Sequence, residues 1–463
     1  MSGAAAAPRR LFADQAWVDG RWQRAVLLEI DAGGDWSQVV PGSACPSDAE
    51  RLDGPVLPGL VNAHSHAFQR AFAGLAERRD SEADDFWSWR ERMYGVALRI
   101  TPEQLKAIAR QLYLELLQGG YTQVCEFHYL QHAPDGRPYG DELAMSWALA
   151  EAAAEVGIGL TLLPVLYAHA GFAQRGLRDE QRRFATDARW VRQAAQRINA
   201  TRLPGVNAGV ALHSLRAAHQ DDIRALQALV GDADLPIHIH IAEQQREVDD
   251  CLAATGRRPI EQLCTAHLPD ARWQLVHATH ATPAEIDAVA ACGAGIVICP
   301  GTEANLGDGL CDLPRWLAAG VPLAVGSDSQ VTRGWPEELR WLEYGQRLQR
   351  QQRNVAARPG DEPATAARLF EACRAGSAAP AGLARWGLQA GARADALVLD
   401  AQAEGLLGLP ADAVLDGLVF SAGAQTPISQ VFVAGQCRVG AGVAGDLAAS
   451  RRDFAAAMRA LHG

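Results

Sequence analysis

Two histidines spaced two apart, His64 and His66, end the apolar run LPGLVNAHSH. In an extended chain such positions share a face, so both imidazoles can reach one ion. Alone the H-x-H pair is a weak signal, because a pair of core or surface histidines is as common. Three further candidates stand at the ends of apolar runs: His240 in HIHIAE, His277 in LVHATH and Asp328 in GSDS. Three imidazoles and a carboxylate suit zinc or iron, and zinc with protein ligands plus a water is a standard hydrolytic arrangement. Zinc lowers the pKa of its bound water to about 7 and so supplies hydroxide at neutral pH. Asp328 and His277 stand where they could accept that water's proton. Glu243 follows His240 by three residues; its blander reading is a surface carboxylate beyond the strand. His238 shares a face with His240 but lies deeper, and is read as packing or as support for a ligand.

Positioning such groups requires a frame. Apolar runs at 57–63, 121–127, 158–166, 206–212, 236–241, 273–277, 295–299 and 322–326 read as strands. Helical patterns lie between them at 141–156, 180–199, 216–230, 282–292 and 336–352. The clearest helix start is Thr101, where T-P-E-Q offers an N-cap, a proline at the first helical position and a capping-box Gln104. Strands apolar on both faces and separated by helices imply a parallel sheet. Eight such units predict a closed (β/α)8 TIM barrel, with its site at the carboxyl ends of the strands.

The two ends read differently. Residues 1–56 and 386–463 hold short strands with Gly and Asp turns, and neither end can build a core alone. They are expected to join as a small β-sandwich, with a helix at the C-terminus, flanking a barrel over 57–385. One connection is long: residues 67–100 lie on the active-site side and are read either as a substrate-contacting lid or as a surface helix that only packs.

The chain has 463 residues, 48% hydrophobic and 21% charged, the balance of a soluble globular protein. No run is apolar and long enough to span a membrane, and the N-terminus lacks a signal-peptide core, so a cytoplasmic location is expected. A net charge of −11 without a basic stripe argues against nucleic acid or an anionic membrane as partner. The nine cysteines contain no C-x-x-C pair and read as reduced, mostly buried thiols. Lys106 is the single lysine and falls in the first helix. A two-metal centre bridged by a modified strand-end lysine is thereby excluded, and no Glu stands at the end of strand four to bridge instead; one metal per chain is expected.

The metal motif, spread over strands one, five, six and eight, resembles the amidohydrolase superfamily. Its members usually carry the same small flanking β-unit. The segments LPGLVNAHSHAFQRAFAGLAE, DDFWSWRERMY, EFHY, HSLRA, HIHIAEQQREVDDC, TEANLGDG and EELRWLEYGQRLQRQQRN are more specific. From about residue 10 to past 440 they resemble the formimidoylglutamate deiminases, which turn N-formimidoyl-L-glutamate and water into N-formyl-L-glutamate and ammonia in histidine degradation. That resemblance implies one zinc held by His64, His66, His240 and Asp328. It implies His277 as general base, Asp328 as a ligand sharing the proton, and Glu243 as proton carrier to the leaving nitrogen. It also implies substrate contacts from Gln69, Arg90, Tyr129, His213 and Arg216, and a homodimer. Two arginines suit a dicarboxylate formamidine, because guanidinium grips carboxylates bidentately. Glu126, Arg92 and Trp87 are possible supporting residues.

The chain departs from that family pattern in two places. Where the family reads S-D-S-H-V-S, this sequence reads SDSQVTRG with Gln330, and CPG precedes TEANLGDG. Both departures are expected at the pocket rim, where they could alter substrate preference. Two other readings remain: a superfamily aminohydrolase acting on a purine or pyrimidine ring, and a non-catalytic scaffold of the same fold.

Overall fold

The structure, a computed structural model, describes residues 8–79, 84–267, 269–423, 426–441 and 447–463. Eight strands pair in parallel and in chain order: β1 Leu60–Ser65, β2 Tyr121–His128, β3 Gly159–Leu166, β4 Val210–Ser214, β5 Ile237–Ile241, β6 Trp273–His277, β7 Gly295–Ile298 and β8 Leu323–Val325. Every residue of β2 and β3 is buried. That follows from their two-sided apolarity: one face fills the barrel and the other meets the helices. Ile239, Leu275, Ile296 and Leu323 are successive register partners from β5 to β8.

The ring closes at its carboxyl end. The Asp328 amide donates to the His64 carbonyl at 3.0 Å, and the His66 amide donates to the Asp328 carbonyl at 3.2 Å. This approach needs a glycine at 326, where a Cβ would meet the His64 backbone oxygen at 2.8 Å and nitrogen at 2.9 Å. The barrel expected from the alternating pattern is therefore present.

The end segments build one sheet together. Val56–Leu57 pairs antiparallel with Ala396–Leu399, joining the N-terminal strands Arg9–Val18, Arg21–Ile30 and Trp36–Val40 to Ile428–Val433 and Gln436–Val439. Leu11, Val26, Trp36, Val56, Val398 and Phe432 share a second hydrophobic core. The helix Leu447–His462 lies on the helix Pro102–Gln118, with Ser450 Oγ donating to Gln111 Oε1 at 3.0 Å. Among the described residues no helix is long and apolar enough to cross a membrane.

Thr101 starts its helix as expected: its hydroxyl accepts the Gln104 amide at 3.3 Å and the Gln104 side chain accepts the Thr101 amide at 3.0 Å. Two expected helices begin later or break. The pattern at 180–199 divides into a 3-10 turn, Asp179–Phe184, and the helix Ala188–Ala200. The one expected from 216 starts at Gln220, because residues 215–219 turn first.

The long connection after β1 holds a 3-10 turn, Ala67–Ala71, and the helix Phe86–Ala97, part of it (80–83) lying outside the described residues. Asp85 caps that helix, accepting the Trp87 and Ser88 amides at 2.9 and 3.2 Å. Its far end is tied down by the buried Arg183 guanidinium, which donates to the Ala97 carbonyl and, at 2.7 Å, to the His132 carbonyl. The helix lies over the barrel mouth, where Phe86, Trp89, Arg90, Met93 and Tyr94 face the pocket.

Candidate metal centre and active site

Four ring nitrogens and a carboxylate converge where β1, β5, β6 and β8 end. His64 Nε2 lies 3.2 Å from His66 Nε2 and 2.9 Å from His240 Nε2. Asp328 Oδ1 lies 3.5 Å from the first and 3.4 Å from the second. The other ring nitrogens are held: His66 Nδ1 donates to the Phe127 carbonyl and His240 Nδ1 to the His213 carbonyl, both at 2.8 Å. Those bonds place the ring proton on Nδ1 and turn unprotonated Nε2 lone pairs toward one another.

Protonation does not relieve the crowding. Burial pushes the His64 imidazole down to about 3 and holds His66 and His240 below their ordinary value. For Asp328 burial acts upward, but His64, His277 and His66 together hold its carboxyl below the usual range. Neutral imidazoles and an ionised carboxylate, all buried with their donor atoms facing inward, are a ligand set that fits a zinc-class dication.

His277 and Glu243 stand at the edge of this cluster. His277 Nδ1 lies 3.3 Å from Glu303 Oε1, which also accepts the Cys299 amide at 3.0 Å. Glu303 thus orients the ring and leaves Nε2 facing the pocket, 3.8 Å from Asp328 Oδ2 and 3.7 Å from Glu243 Oε1. Burial raises Glu243 above the ordinary carboxylate range, although His277 and Arg216 act against it. Burial opposes the His277 cation, yet the carboxylates of Glu243, Glu303 and Asp328 lift its pKa overall. A dication beside them would favour the deprotonated form of each.

The opposite wall suits an anion. Arg90 and Arg216 both line the pocket, as do Gln69, Tyr129 and His213. Arg216 Nη2 is 4.0 Å from Glu243 Oε2, beyond hydrogen-bonding distance. Arg90 Nε, Arg216 Nη1 and Gln69 Oε1 are buried without a hydrogen-bond partner. Gln69 Nε2 donates to the Tyr129 hydroxyl at 3.1 Å. All the residues implied as substrate contacts therefore meet the imidazole cluster in one pocket.

The supporting candidates divide. Glu126 holds the β1 end, accepting the Ala67 amide at 2.5 Å and the Ser65 hydroxyl at 2.8 Å. Arg92 instead braces the connecting loop, donating to the carbonyls of Ala76 and Arg78. His238 stays out of the cluster and bonds the Pro380 carbonyl at 2.9 Å.

The expectation for Gln330 needs correction. It is not at the pocket rim but fully buried beneath the centre, at the β8–β1 seam. Its amide nitrogen donates to Ser65 Oγ at 3.0 Å and to the Asp328 carbonyl at 2.6 Å, and its oxygen accepts from Ser327 Oγ at 2.8 Å. Cys299, in the other departure, is likewise fully buried, close enough to His277 and Asp328 to group with them. The reason is backbone geometry: Asp328 and Gln330 adopt left-handed φ values of 47° and 69°, which fold the turn back under the site.

Sequence reasoning missed Tyr94, Tyr167 and Glu303. Tyr167 directly follows β3, so its strand-end position was a usable signal. Glu303 was visible only as part of TEANLGDG; the short helix Pro300–Leu306 brings it back to His277.

A sequence profile described as the amidohydrolase family matches residues 56–438. Formimidoylglutamate deiminase of Pseudomonas aeruginosa is 48% identical over 427 residues, covering 92% of this chain and 93% of that protein. A solved amidohydrolase from Brucella melitensis superposes with a TM-score of 0.92 at 41% identity, covering 98% of this chain and all (100%) of the other. An adenosine deaminase from Xanthomonas campestris with bound zinc shares the fold at a TM-score of 0.78 and 20% identity, over 98% of this chain and 99% of that one.

Proposed function

The chain belongs to the amidohydrolase family, and from that membership we propose that it is a zinc-dependent deiminase converting N-formimidoyl-L-glutamate and water to N-formyl-L-glutamate and ammonia. One juxtaposition carries the reading. Two half-buried arginines, each with a buried N–H group that has no hydrogen-bond partner, share a pocket with an inward-facing imidazole–carboxylate cluster. A formamidine joined to a dicarboxylate has the two chemistries that such a pocket can grip. The Pseudomonas aeruginosa relative carries the name of this activity.

His64, His66, His240 and Asp328 would hold the ion. When bound, zinc supplies Lewis acidity and brings the pKa of a water to about 7. The chain's own groups do the rest. Arg90 and Arg216 anchor the glutamate carboxylates, with Gln69, Tyr129 and His213 fixing the substrate between them and the reacting carbon. Asp328 and His277 Nε2 accept the proton of the attacking water. Glu243, whose buried carboxyl retains a proton more readily than usual, passes one to the unsubstituted nitrogen, which departs as ammonia. With the carboxylates held at the arginine wall, the substituted nitrogen faces outward and stays bonded. Phe86, Trp89 and Met93 cover the mouth and exclude bulk water.

The same reading extends to a cytoplasmic homodimer acting in histidine degradation, which the family resemblance supports. Incubating the purified protein with N-formimidoyl-L-glutamate should release ammonia and N-formyl-L-glutamate in equal amounts. Formamide and free glutamate would mean that the substrate sits the other way round. A second reading, ring deamination, draws on the aromatic lining by Phe86, Trp89, Tyr94 and Tyr167. Ammonia from adenosine but none from the amidine would put that reading first, and no turnover of either by metal-loaded protein would favour the scaffold.

A further inference from the structure

The Glu243 carboxylate is not gripped directly by its charged neighbours. His277 Nε2 and Arg216 Nη2 stand 3.7 and 4.0 Å away, beyond hydrogen-bonding distance. Its place in the pocket must then come through the main chain. Ala242, just before it, takes a left-handed φ of 50°, which a residue with a Cβ holds only when its surroundings fix it. Hydrogen bonds on three sides do so. The Ala242 carbonyl accepts the His280 amide at 3.1 Å, and the Glu243 amide donates to Glu247 Oε2 at 3.1 Å. The third comes from the Gln244 side chain, whose Nε2 donates to Asp308 Oδ1. The first ties the turn to the chain beyond β6, and the second is local, to the first turn of the helix Gln245–Thr255. The third leads to the segment beyond β7.

Asp308 shares that segment with Glu303, the residue that orients His277. Its amide donates to the Glu303 carbonyl at 3.0 Å, and Gly307 between them turns the chain with a φ of 70°. One short stretch, 303–308, thus holds His277 by one carboxylate and the Glu243 loop by another. Asp308 is buried, and its Oδ2 has no hydrogen-bond partner. Burial lifts its carboxyl above the usual range; Glu243 and Glu303 add to the rise, while His277 and the Gln244 bond oppose it. Stability alone does not account for a buried carboxyl whose second oxygen bonds nothing.

We propose that Asp308 is a positioning residue for Glu243, acting through Gln244. This rests on the proton-carrier role given to Glu243 and deepens it. Asp308 lies outside the pocket lining and touches no reacting atom. Held from the segment beyond β7, the Glu243 loop keeps a fixed distance from His277. The two proton-moving groups then stay in register with the leaving nitrogen.

The test measures kcat, KM and zinc content with N-formimidoyl-L-glutamate. Asp308→Ala and Gln244→Ala should each lose about 10–100-fold in kcat, up to the cost of misplacing a reacting group by about 1 Å. KM and zinc content should stay unchanged. Gln244 is half-buried, so its removal tests the bond even if Asp308→Ala fails to fold. Asp308→Asn, whose carboxamide oxygen still accepts from Gln244, should restore most of the rate. Combined with Glu243→Gln, Asp308→Ala should cost almost nothing further, because the group it positions is already gone. Structural damage would cost the same in both backgrounds; that result, or an Asp308→Asn protein as slow as Asp308→Ala, overturns the proposal. Hydrogen–deuterium exchange reads the clamp without turnover: peptides covering 242–248 should exchange faster in Asp308→Ala than in the native protein. Unchanged exchange there refutes the clamp, whereas failure of the native protein to release ammonia from the amidine refutes the assigned reaction.

Discussion

Asp328 meets His64 twice, once through the main chain and once through the side chain. Its amide donates to the His64 carbonyl at 3.0 Å, and its Oδ1 lies 3.5 Å from His64 Nε2. The first contact shuts the barrel; the second belongs to the candidate metal centre. The two are separable, because the main-chain bond does not require the carboxylate.

Asp328→Asn should therefore fold and lose the metal. Asparagine tolerates the left-handed backbone at this position, so the seam persists while the anionic ligand is gone. Elemental analysis should find about one zinc per native chain. The Asp328→Asn and His64→Ala proteins should contain almost none and be inactive, with far-UV circular dichroism unchanged. Two tightly held metals per native chain would contradict the single-site assignment.

Glu243→Gln and His277→Asn should retain both metal and fold yet lose turnover. Groups that move protons in the transition state typically contribute about 10²–10⁴ in rate. Asparagine again suits the left-handed φ of 71° at His277. Near-native turnover in either variant would take that residue out of the mechanism.

Arg216→Met removes a carboxylate partner and leaves the reacting end of the pocket untouched. Capture of N-formimidoyl-L-glutamate should weaken by roughly 2–5 kcal/mol, the range for truncating one partner of a buried charged pair. A substrate analogue without its α-carboxylate should be rejected by the native enzyme and much less by the variant. Equal rejection by both would exclude Arg216 from that contact.

Gln330→Glu keeps the shape but removes the two N–H donors that reach Ser65 and the Asp328 carbonyl. Leaving buried groups unsatisfied costs about 1–3 kcal/mol each. The variant should melt earlier and surrender its metal faster to a chelator. An unchanged rate of metal loss would show that this side chain does not steady the ligands.

Glu126 makes a pH prediction. Burial pushes its carboxyl up to about 8, although the Ala67 amide and the Ser65 and Tyr113 hydroxyls favour the ionised form. The unfolded chain releases that proton near the ordinary value of about 4.3. The protonated folded state is thus fully favoured below that value, and stability falls as pH rises from there through about 8. Glu126→Gln, which cannot ionise, should flatten the decline in thermal midpoint between these limits. A parallel decline in the variant would assign the loss to other groups.

Much of this arrangement was legible because strand ends are. His64, His66, His240, His277 and Asp328 each terminate an apolar run, and a barrel brings all such ends to one face. Thr101 was legible because a capping box is local chemistry. Gln330 was not, because β8 has only three residues and the two left-handed residues beyond it follow no strand or helix period. Glu303 was hidden for a related reason: its role depends on a helix of seven residues returning toward β6, and nothing in its neighbours' spacing reports that. Trp87 is approached by the guanidiniums of Arg90, Arg216 and Arg246, residues that only the tertiary fold brings together.

The closing bond between β8 and β1 also sets an order of events during synthesis. A ribosome makes His64 and His66 more than 250 residues before Asp328. A nascent chain that has reached residue 240 already owns three of the four proposed ligands. It lacks the carboxylate, and it lacks the main-chain partner that holds His64 in place. Metal capture at full affinity must then wait for the last strand to emerge. An ion held at full affinity therefore certifies that the ring is complete, and a prematurely terminated product, lacking the anionic ligand, would hold it more weakly.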